Sequence, residues 1–171
     1  MSRANSPTLR GTRLGTVLRL WNPIMKRLLA SRLHWPWSRY FLLLSWTGRK
    51  TGARYTTPVS YVRGAGDLYL TTGDRWWRNV AGGGPVELRL LGRRRAAWAT
   101  PITDREASIS LHEQLFRDHP WFRLLAGIPA EATGEPDQAE VARSVDAGRV
   151  LVRVSPGRSG VHARNESEHA G

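Results

Sequence analysis

A short turn in the first third of the chain concentrates side chains that could bind an anion. The segment Gly48-Arg49-Lys50-Thr51-Gly52 follows an apolar run, and Arg54 comes just beyond it. The two glycines allow a sharp bend and a close approach of the backbone to a ligand. Three cations in one small volume repel each other unless an anion lies among them. The segment therefore predicts an anion-binding turn, with a solvated basic hairpin as the alternative.

A second cluster combines two aromatic rings with an amide. Trp76 and Trp77 are adjacent, and Asn79 follows them within a glycine-rich region. Tryptophan offers a flat wall to a planar ligand, and asparagine can donate and accept hydrogen bonds at the edge of a ring. We expect these three residues to bind a planar molecule. The alternative is that one tryptophan fills the mouth of a barrel while the other covers it.

The residues for several other chemistries are missing. The chain has no cysteine, which excludes disulfides and cysteine-based metal sites or nucleophiles. The basic turn lacks the spacing of a phosphate-binding P-loop, and no serine nucleophile elbow is present. The histidines show no metal-binding pattern, and His112 and His119 are expected on the surface. No catalytic or metal-binding residue is assigned, and a redox activity would depend on a bound cofactor.

The net charge of the chain lies entirely in its first part. Residues 1–66 contain 12 Lys and Arg and no Asp or Glu, whereas residues 67–171 contain 14 basic and 14 acidic residues, and the net charge is +12. Such a polarised molecule attracts anions to one part of its surface. The candidate partners are nucleic acid, an acidic membrane surface, and a small molecule that carries phosphate or carboxylate groups.

The pattern of apolar residues and turns predicts a mainly β (α+β) fold. About six strands joined by short turns imply antiparallel pairing, which favours a small split β-barrel with helices packed outside. A parallel doubly wound sheet is disfavoured because the early strands lack crossover helices. The expected strands cover residues 40–44, a second run ending at 61, and 68–72, 85–91, 95–102 and 149–154; the expected helices cover 12–33, 104–125 and 135–145, with a helical turn at 75–81.

The length indicates a single domain, which we place at residues 11–154. Residues 1–10 and 155–171 are expected to be disordered. Residues 11–37 form a basic amphipathic segment, which suits either an anionic membrane surface or packing against the domain. No apolar run is long enough to span a membrane, and no signal peptide is apparent, so a cytoplasmic protein is expected.

The chain resembles the deazaflavin (F420)-dependent nitroreductase family, a branch of the flavin and deazaflavin oxidoreductases built on a split β-barrel. The resemblance covers roughly residues 38–104. Its main motif is Leu42-Leu43-Leu44, then Thr47-Gly48-Arg49-Lys50-Thr51-Gly52 with Arg54, followed by Thr57-Pro58 and Tyr61. Trp76-Trp77-x-Asn79-Val80 is similar to the family's Trp-Tyr-x-Asn-Leu element. The family typically has Lys-Gly-Gly-Ala and a Pro before this element, whereas here the loop is cut to Thr72-Gly73-Asp74-Arg75, which loses a lysine and adds an acid.

The resemblance implies a reductase that uses coenzyme F420, a 5-deazaflavin with a phospholactyl-oligoglutamate tail; FMN is the alternative cofactor. Hydride would pass to an electron-poor acceptor such as a quinone, a nitro compound or an activated alkene. The cations would hold the phosphate and carboxylates, and the other residues would lie along or flank the ring. The implied cofactor-binding residues are Arg49, Lys50, Thr51, Arg54, Pro58, Val59, Trp76, Trp77 and Asn79.

The resemblance and the charge pattern together suggest further residues and partners. Solvent or the hydroxyl of Ser60 or Tyr61 would deliver the proton, and related split barrels often form homodimers. Membrane contact through residues 12–33, at the inner face of the membrane, would suit a lipid-soluble quinone; nucleic acid is not expected as a partner. A non-catalytic basic module that docks on membrane or nucleic acid stays open as a second class of function. The candidate substrate-pocket residues are Ser60, Tyr61, Phe116, Trp121 and Phe122.

Overall fold

The computed structural model describes residues 39–157, which form a seven-stranded antiparallel sheet with helices against it. The strands are β1 (Phe41–Thr47), β2 (Arg54–Ser60), β3 (Val62–Gly64), β4 (Asp67–Thr72), β5 (Gly84–Leu90), β6 (Arg93–Ile102) and β7 (Val150–Pro156). The helices are a 3₁₀ helix (Arg75–Val80), α1 (Arg105–Asp118), α2 (Pro120–Ala126) and α3 (Gln138–Asp146).

The sheet curls into a split barrel. Its strand order is β2-β1-β5-β6-β7-β4-β3, with every neighbouring pair antiparallel. The edge strand β2 also contacts β4, which lies near the opposite edge, so the two ends of the sheet approach each other. The predicted split antiparallel barrel is therefore confirmed. The sheet has seven strands where about six were expected, because Val62–Gly64 forms the separate short strand β3.

Two apolar clusters cover the two faces of the sheet. Successive side chains of a strand point to opposite faces, and β7 follows this rule: Val152 belongs to the first cluster and Leu151 to the second. The first cluster fills the barrel and includes Leu42, Leu44 and Leu88. The second lies on the opposite face and includes residues of α1, α2 and α3. The helices thus form a layer outside the barrel.

The helix predicted at residues 104–125 is divided in two. Asp104 caps α1 as expected, because its side chain accepts a hydrogen bond of 2.8 Å from the backbone N–H of Ala107. His119 leaves the helical conformation, with φ −133° and ψ 78°, and Pro120 begins α2. A proline cannot continue the hydrogen bonding of the preceding helix, and it disfavours the helical conformation in the residue before it.

His112 is buried, and the expectation of a surface residue was wrong. Its side chain has no accessible surface. The Nδ1 atom lies 2.8 Å from the carbonyl oxygen of Ser108, and Nε2 lies 3.0 Å from the hydroxyl of Thr71. These partners suit a neutral ring that donates from Nδ1 and accepts at Nε2. Burial, helped by the nearby charge of Arg149, lowers the pKa of His112 to about 4.

Some predicted segments cannot be compared with the structure. The N-terminal segment 1–10 and the amphipathic segment 11–37 lie outside the described residues, as does most of the expected tail. β7 extends through Pro156, so the first two residues of that expected tail belong to a strand. Within residues 39–157, no helix is both long and apolar enough to cross a membrane.

His112→Gln should weaken the pH dependence of folding. The His112 pKa is about 4 in the folded protein and about 6.5 in the unfolded chain. The unfolded state therefore binds the proton first as the pH falls, and the stabilisation that is complete above about pH 6.5 is lost toward about pH 4. When the pH is lowered from about 7.5 to about 5, the free energy of unfolding of the wild type should fall by roughly 2 kcal/mol more than that of the variant. Urea unfolding at both pH values measures this difference.

The matched control is His119→Gln, which changes the half-exposed histidine after α1. This variant should retain the pH dependence of wild type. If His112→Gln and wild type lose the same free energy of unfolding over the interval, His112 is not the titrating group.

Candidate functional site

The basic turn between β1 and β2 is closed by its two glycines. The Gly48 N–H donates to the Ala53 carbonyl, and the Gly52 N–H donates to the Gly48 carbonyl, both at 2.8 Å. Gly52 has φ +65°, and a Cβ at Gly48 would lie 2.7 Å from the ring of Tyr55. Glycine meets both conditions at low cost, because it adopts a positive φ readily at position 52 and has no Cβ to clash with Tyr55 at position 48. The turn is therefore tight, and it leaves Arg49 and Lys50 exposed.

Asn79 joins the basic turn to the tryptophan cluster. Its Oδ1 accepts a hydrogen bond of 3.2 Å from the backbone N–H of Arg49, and its Nδ2 donates one of 2.9 Å to the Trp76 carbonyl. The 3₁₀ helix that carries Trp76 and Asn79 is thereby held against the turn. Two motifs that are distant in sequence are therefore in direct contact in the structure.

The two tryptophans have different environments. Trp76 belongs to the first core cluster, donates from Nε1 to the Thr72 hydroxyl at 3.1 Å, and packs 5.3 Å from the ring of Trp46. Trp46 in turn stacks on Tyr55 at 5.9 Å. Trp77 is half-buried, with the Arg78 guanidinium 5.7 Å from its ring centre. Trp76 is thus a packing residue, and Trp77 is the ring of the pair that keeps accessible surface.

The cations of the site are not equivalent. Arg54 Nη2 lies 2.6 Å from Oε1 of Glu87, and Arg94 lies 3.7 Å from the same oxygen. In the part of the chain that the structure describes, Arg49 and Lys50 form no ion pair. Arg54 therefore already has an anionic partner, whereas the two cations of the turn remain available to an anion from outside.

A gap between β1 and β5 forms a cavity beside the turn. The pairing of these strands ends at Ser45 and Glu87. Beyond that point the strands separate and leave a cavity of about 190 Å³. Trp46 is one of the residues that line this cavity, and its Nε1 atom is buried without a hydrogen-bond partner among the described residues. The lining residues are Ser45, Trp46, Thr47, Arg54, Pro85, Val86 and Glu87.

Pro58 and Val59 lie on opposite faces of β2. Pro58 pairs with Leu43 and faces outward, on the same side as Arg54. Val59 pairs with Leu42 and packs against the first core cluster. Because neighbouring side chains of a strand alternate, these two residues do not share one wall of a site.

The expected substrate-pocket residues lie away from the basic turn. Ser60 ends β2 at roughly 20 Å from Arg54, from a rise of about 3.3 Å per residue, and Tyr61 is buried in the first cluster. Phe116 and Phe122 are 1% and 0% exposed, so they pack the second core cluster instead of lining an open pocket. Trp121 is half-buried and contacts Tyr40, with ring centres 4.8 Å apart.

Three contributors to the site were not identified from the sequence. Trp46 continues the inward alternation of Leu42 and Leu44, a signal that could have placed it in the barrel. Tyr55 is its cross-strand partner. No signal in the sequence pointed to Glu87, since its contact with Arg54 can be predicted only when β5 is known to lie beside β1.

Comparisons with known proteins identify a family. Residues 25–127 match the family model described as F420H(2)-dependent quinone reductase. No curated protein matches the chain. Similar solved structures include an F420 reductase (15% identity, 70% of this chain and 87% of that chain, TM-score 0.40). A second is General Stress Protein 26 from Bacillus anthracis, with 13% identity, 68% of this chain and 79% of that chain covered, and a TM-score of 0.38. A third is the FAD and heme binding protein from Mycobacterium smegmatis, with 16% identity, 85% of this chain and 78% of that chain covered, and a TM-score of 0.35. At these scores the structural likenesses carry no functional argument.

Asn79→Ala should expose the backbone amide of Arg49. The variant lacks the oxygen that accepts the hydrogen bond of that amide. Loss of this bond should cost about 1 kcal/mol, so the Arg49 amide hydrogen should exchange with solvent roughly fivefold faster. Amide exchange followed by NMR measures this. The Gly52 amide, which is bonded within the turn, should keep its protection.

A matched control is Asp74→Ala at the start of the same 3₁₀ helix, where the Asp74 side chain makes no capping hydrogen bond. This change should leave the exchange of the Arg49 amide unaltered. Unchanged exchange at Arg49 in Asn79→Ala would show that the amide bridge does not hold the turn.

Proposed function

The chain belongs to the F420H(2)-dependent quinone reductase family, and from this membership we propose that it reduces an electron-poor acceptor, with a quinone as the first candidate. It is an F420-dependent oxidoreductase. Nitro compounds and activated alkenes are the further acceptor classes of the proposal. The observation that carries the assignment of the site is the Asn79 bridge, which joins a cationic turn to an aromatic wall.

The residues of the turn suit the tail of the cofactor. Arg49 and Lys50 are unpaired within the described chain, and Thr51 adds a hydroxyl beside them. Arginine binds phosphate and carboxylate groups through two parallel hydrogen bonds, and lysine acts as a compact point charge. We assign the phosphate and carboxylates of F420 to these three residues.

The aromatic side of the site suits a planar ring. Trp77 offers accessible ring surface, and the buried Nε1–H of Trp46 lacks an acceptor among residues 39–157. An unsatisfied buried donor is costly, so an acceptor atom of a bound ligand would stabilise this arrangement. When bound, reduced F420 supplies a hydride for a two-electron reduction.

The chain itself contributes orientation and exclusion of water. The anion-binding turn and the tryptophan surface would fix the two ends of an extended ligand, which favours a productive geometry at the reacting atoms. Of the two hydroxyls considered as a proton source, that of Tyr61 is in the core, whereas Ser60 is half-buried at the end of β2. Because Ser60 lies at the end of β2 that is far from the turn, we retain solvent as the proton source.

Arg54 has a conditional role in this proposal. Its ion pair with Glu87 is partly exposed, with 55% and 32% of the two side chains accessible. Exposed pairs contribute at most about 1 kcal/mol. A carboxylate of the cofactor tail can therefore share Arg54 with Glu87, or replace it, at small cost.

The double substitution Arg49→Gln/Lys50→Gln should weaken the binding of oxidised F420 at least about tenfold, because charge-assisted hydrogen bonds to the tail are lost. The deazaflavin that lacks phosphate and glutamates should bind both proteins equally, within about twofold. Cofactor fluorescence at fixed salt concentration measures both affinities. The charge-matched control is Arg93→Gln/Arg95→Gln in the β5–β6 hairpin, which should bind F420 as wild type does.

An equal loss of affinity for both ligands would contradict the assignment of the turn to the tail. Wild-type binding of FMN instead of F420 at micromolar concentration would support the alternative cofactor. If the protein binds neither F420 nor FMN, and binds only DNA or anionic vesicles, it is a basic docking module.

The acceptor class is tested by following oxidation of reduced F420 with three soluble acceptors. A naphthoquinone should give a higher kcat/KM than a nitroaromatic compound or a cyclic enone of similar size. Quinones would be excluded as the substrate class if the protein did not accelerate the reduction of the naphthoquinone but did reduce one of the other two acceptors.

A further inference from the structure

A second cavity, of about 540 Å³, opens at the other end of the barrel. The register of the strands separates it from the basic turn. Thr47 pairs with Arg54 beside the turn, whereas the cavity is lined by Leu88 and Leu90, on the part of β5 that runs toward the opposite end of β1. This cavity shares no lining residue with the cavity beside the turn.

The floor of this barrel mouth is apolar. Leu68 and Leu88 are buried members of the first core cluster, and Leu90 packs against that cluster. The β3–β4 turn, residues 64–67, and Pro156 form the walls. The volume lies in the range of small-molecule sites, and barrel mouths are one of the places where such sites occur.

Two arginines line the same mouth. Arg95 pairs with Leu88, and thus lies on the barrel-facing side of β6. Arg63 lies two residues after Tyr61, and its guanidinium lies 5.8 Å from the centre of the Tyr61 ring. Stacking on an aromatic face holds a guanidinium in place. The mouth therefore combines an apolar floor with two cations at its edge.

The charges of these two arginines are not neutralised by an ion pair in the described chain. Arg63 and Arg95 form no ion pair within residues 39–157, and the one lining acid, Asp67, lies 3.9 Å from Arg153. In contrast, Arg94 points to the outer face and reaches Glu87. The electrostatic balance of the mouth is positive, and its floor excludes a purely hydrophilic ligand.

We propose that this mouth is a second small-molecule site, which binds an amphipathic carboxylate. The apolar body lies against Leu68, Leu88 and Leu90, and the carboxylate lies between Arg63 and Arg95. Guanidinium groups bind carboxylates with two parallel hydrogen bonds, which gives both affinity and orientation. A simpler arrangement, in which the arginine stems only cover the leucines, predicts no preference for a charged ligand.

The test is titration of the full-length ¹⁵N-labelled protein with decanoate, and with decanol as the uncharged ligand of equal chain length. Decanoate should shift the amides of Gly64 and Gly66 and bind at least about tenfold more tightly than decanol, because only the carboxylate engages the arginines. Arg63→Gln/Arg95→Gln should abolish this preference.

Arg94→Gln is the matched control, since it removes a neighbouring charge from the outer face; it should bind decanoate within about twofold of wild type. Arg49→Gln/Lys50→Gln should also retain decanoate binding, which separates this site from the one beside the basic turn. Equal affinity for decanoate and decanol, no shift at Gly64 and Gly66, or an equal loss in Arg94→Gln would overturn the proposal.

Discussion

The hydrogen-bonded amide of Asn79 is the contact on which the proposed site depends. The tight turn at Gly48–Gly52 exposes two cations, and the 3₁₀ helix is anchored in the barrel through Trp76. Without a link these would be two independent surface features. Asn79 uses both ends of its amide, accepting from Arg49 and donating to Trp76. The turn is thereby fixed to an element that is itself packed in the core, which is how a loop can hold a preorganised site.

Charge distribution explains why this surface differs from an ordinary basic hairpin. The first 66 residues contain no acid, so any counter-ion must come from later in the chain or from a ligand. Glu87 supplies one for Arg54 and also lies near Arg94. The cations at the tip of the turn receive none among residues 39–157. Their mutual repulsion is relieved when an anion binds, which agrees with a cofactor that carries phosphate and carboxylates.

Local chemistry was enough to predict the barrel and the turn, because alternation, glycine and hairpin signals act between near neighbours. Contacts between distant segments were not predictable in the same way. His112 is buried because α1 packs against β7 and reaches Thr71 of β4, and Glu87 contacts Arg54 because β5 lies beside β1. The end of α1 before Pro120 could have been read from the chain, since proline interrupts helical hydrogen bonding. The pairing of Asn79 with Arg49 required the fold itself.

The most direct measurement is an NMR titration of the labelled protein with oxidised F420. We expect the backbone amides of Arg49 to Gly52 and the indole N–H of Trp77 to shift together with a single dissociation constant, and the amides of Gly64 and Gly66 not to respond. Inorganic phosphate should shift the turn amides alone. The account would be contradicted if F420 shifted the turn no differently from phosphate and left Trp77 unchanged, because the turn would then bind anions without forming a cofactor site.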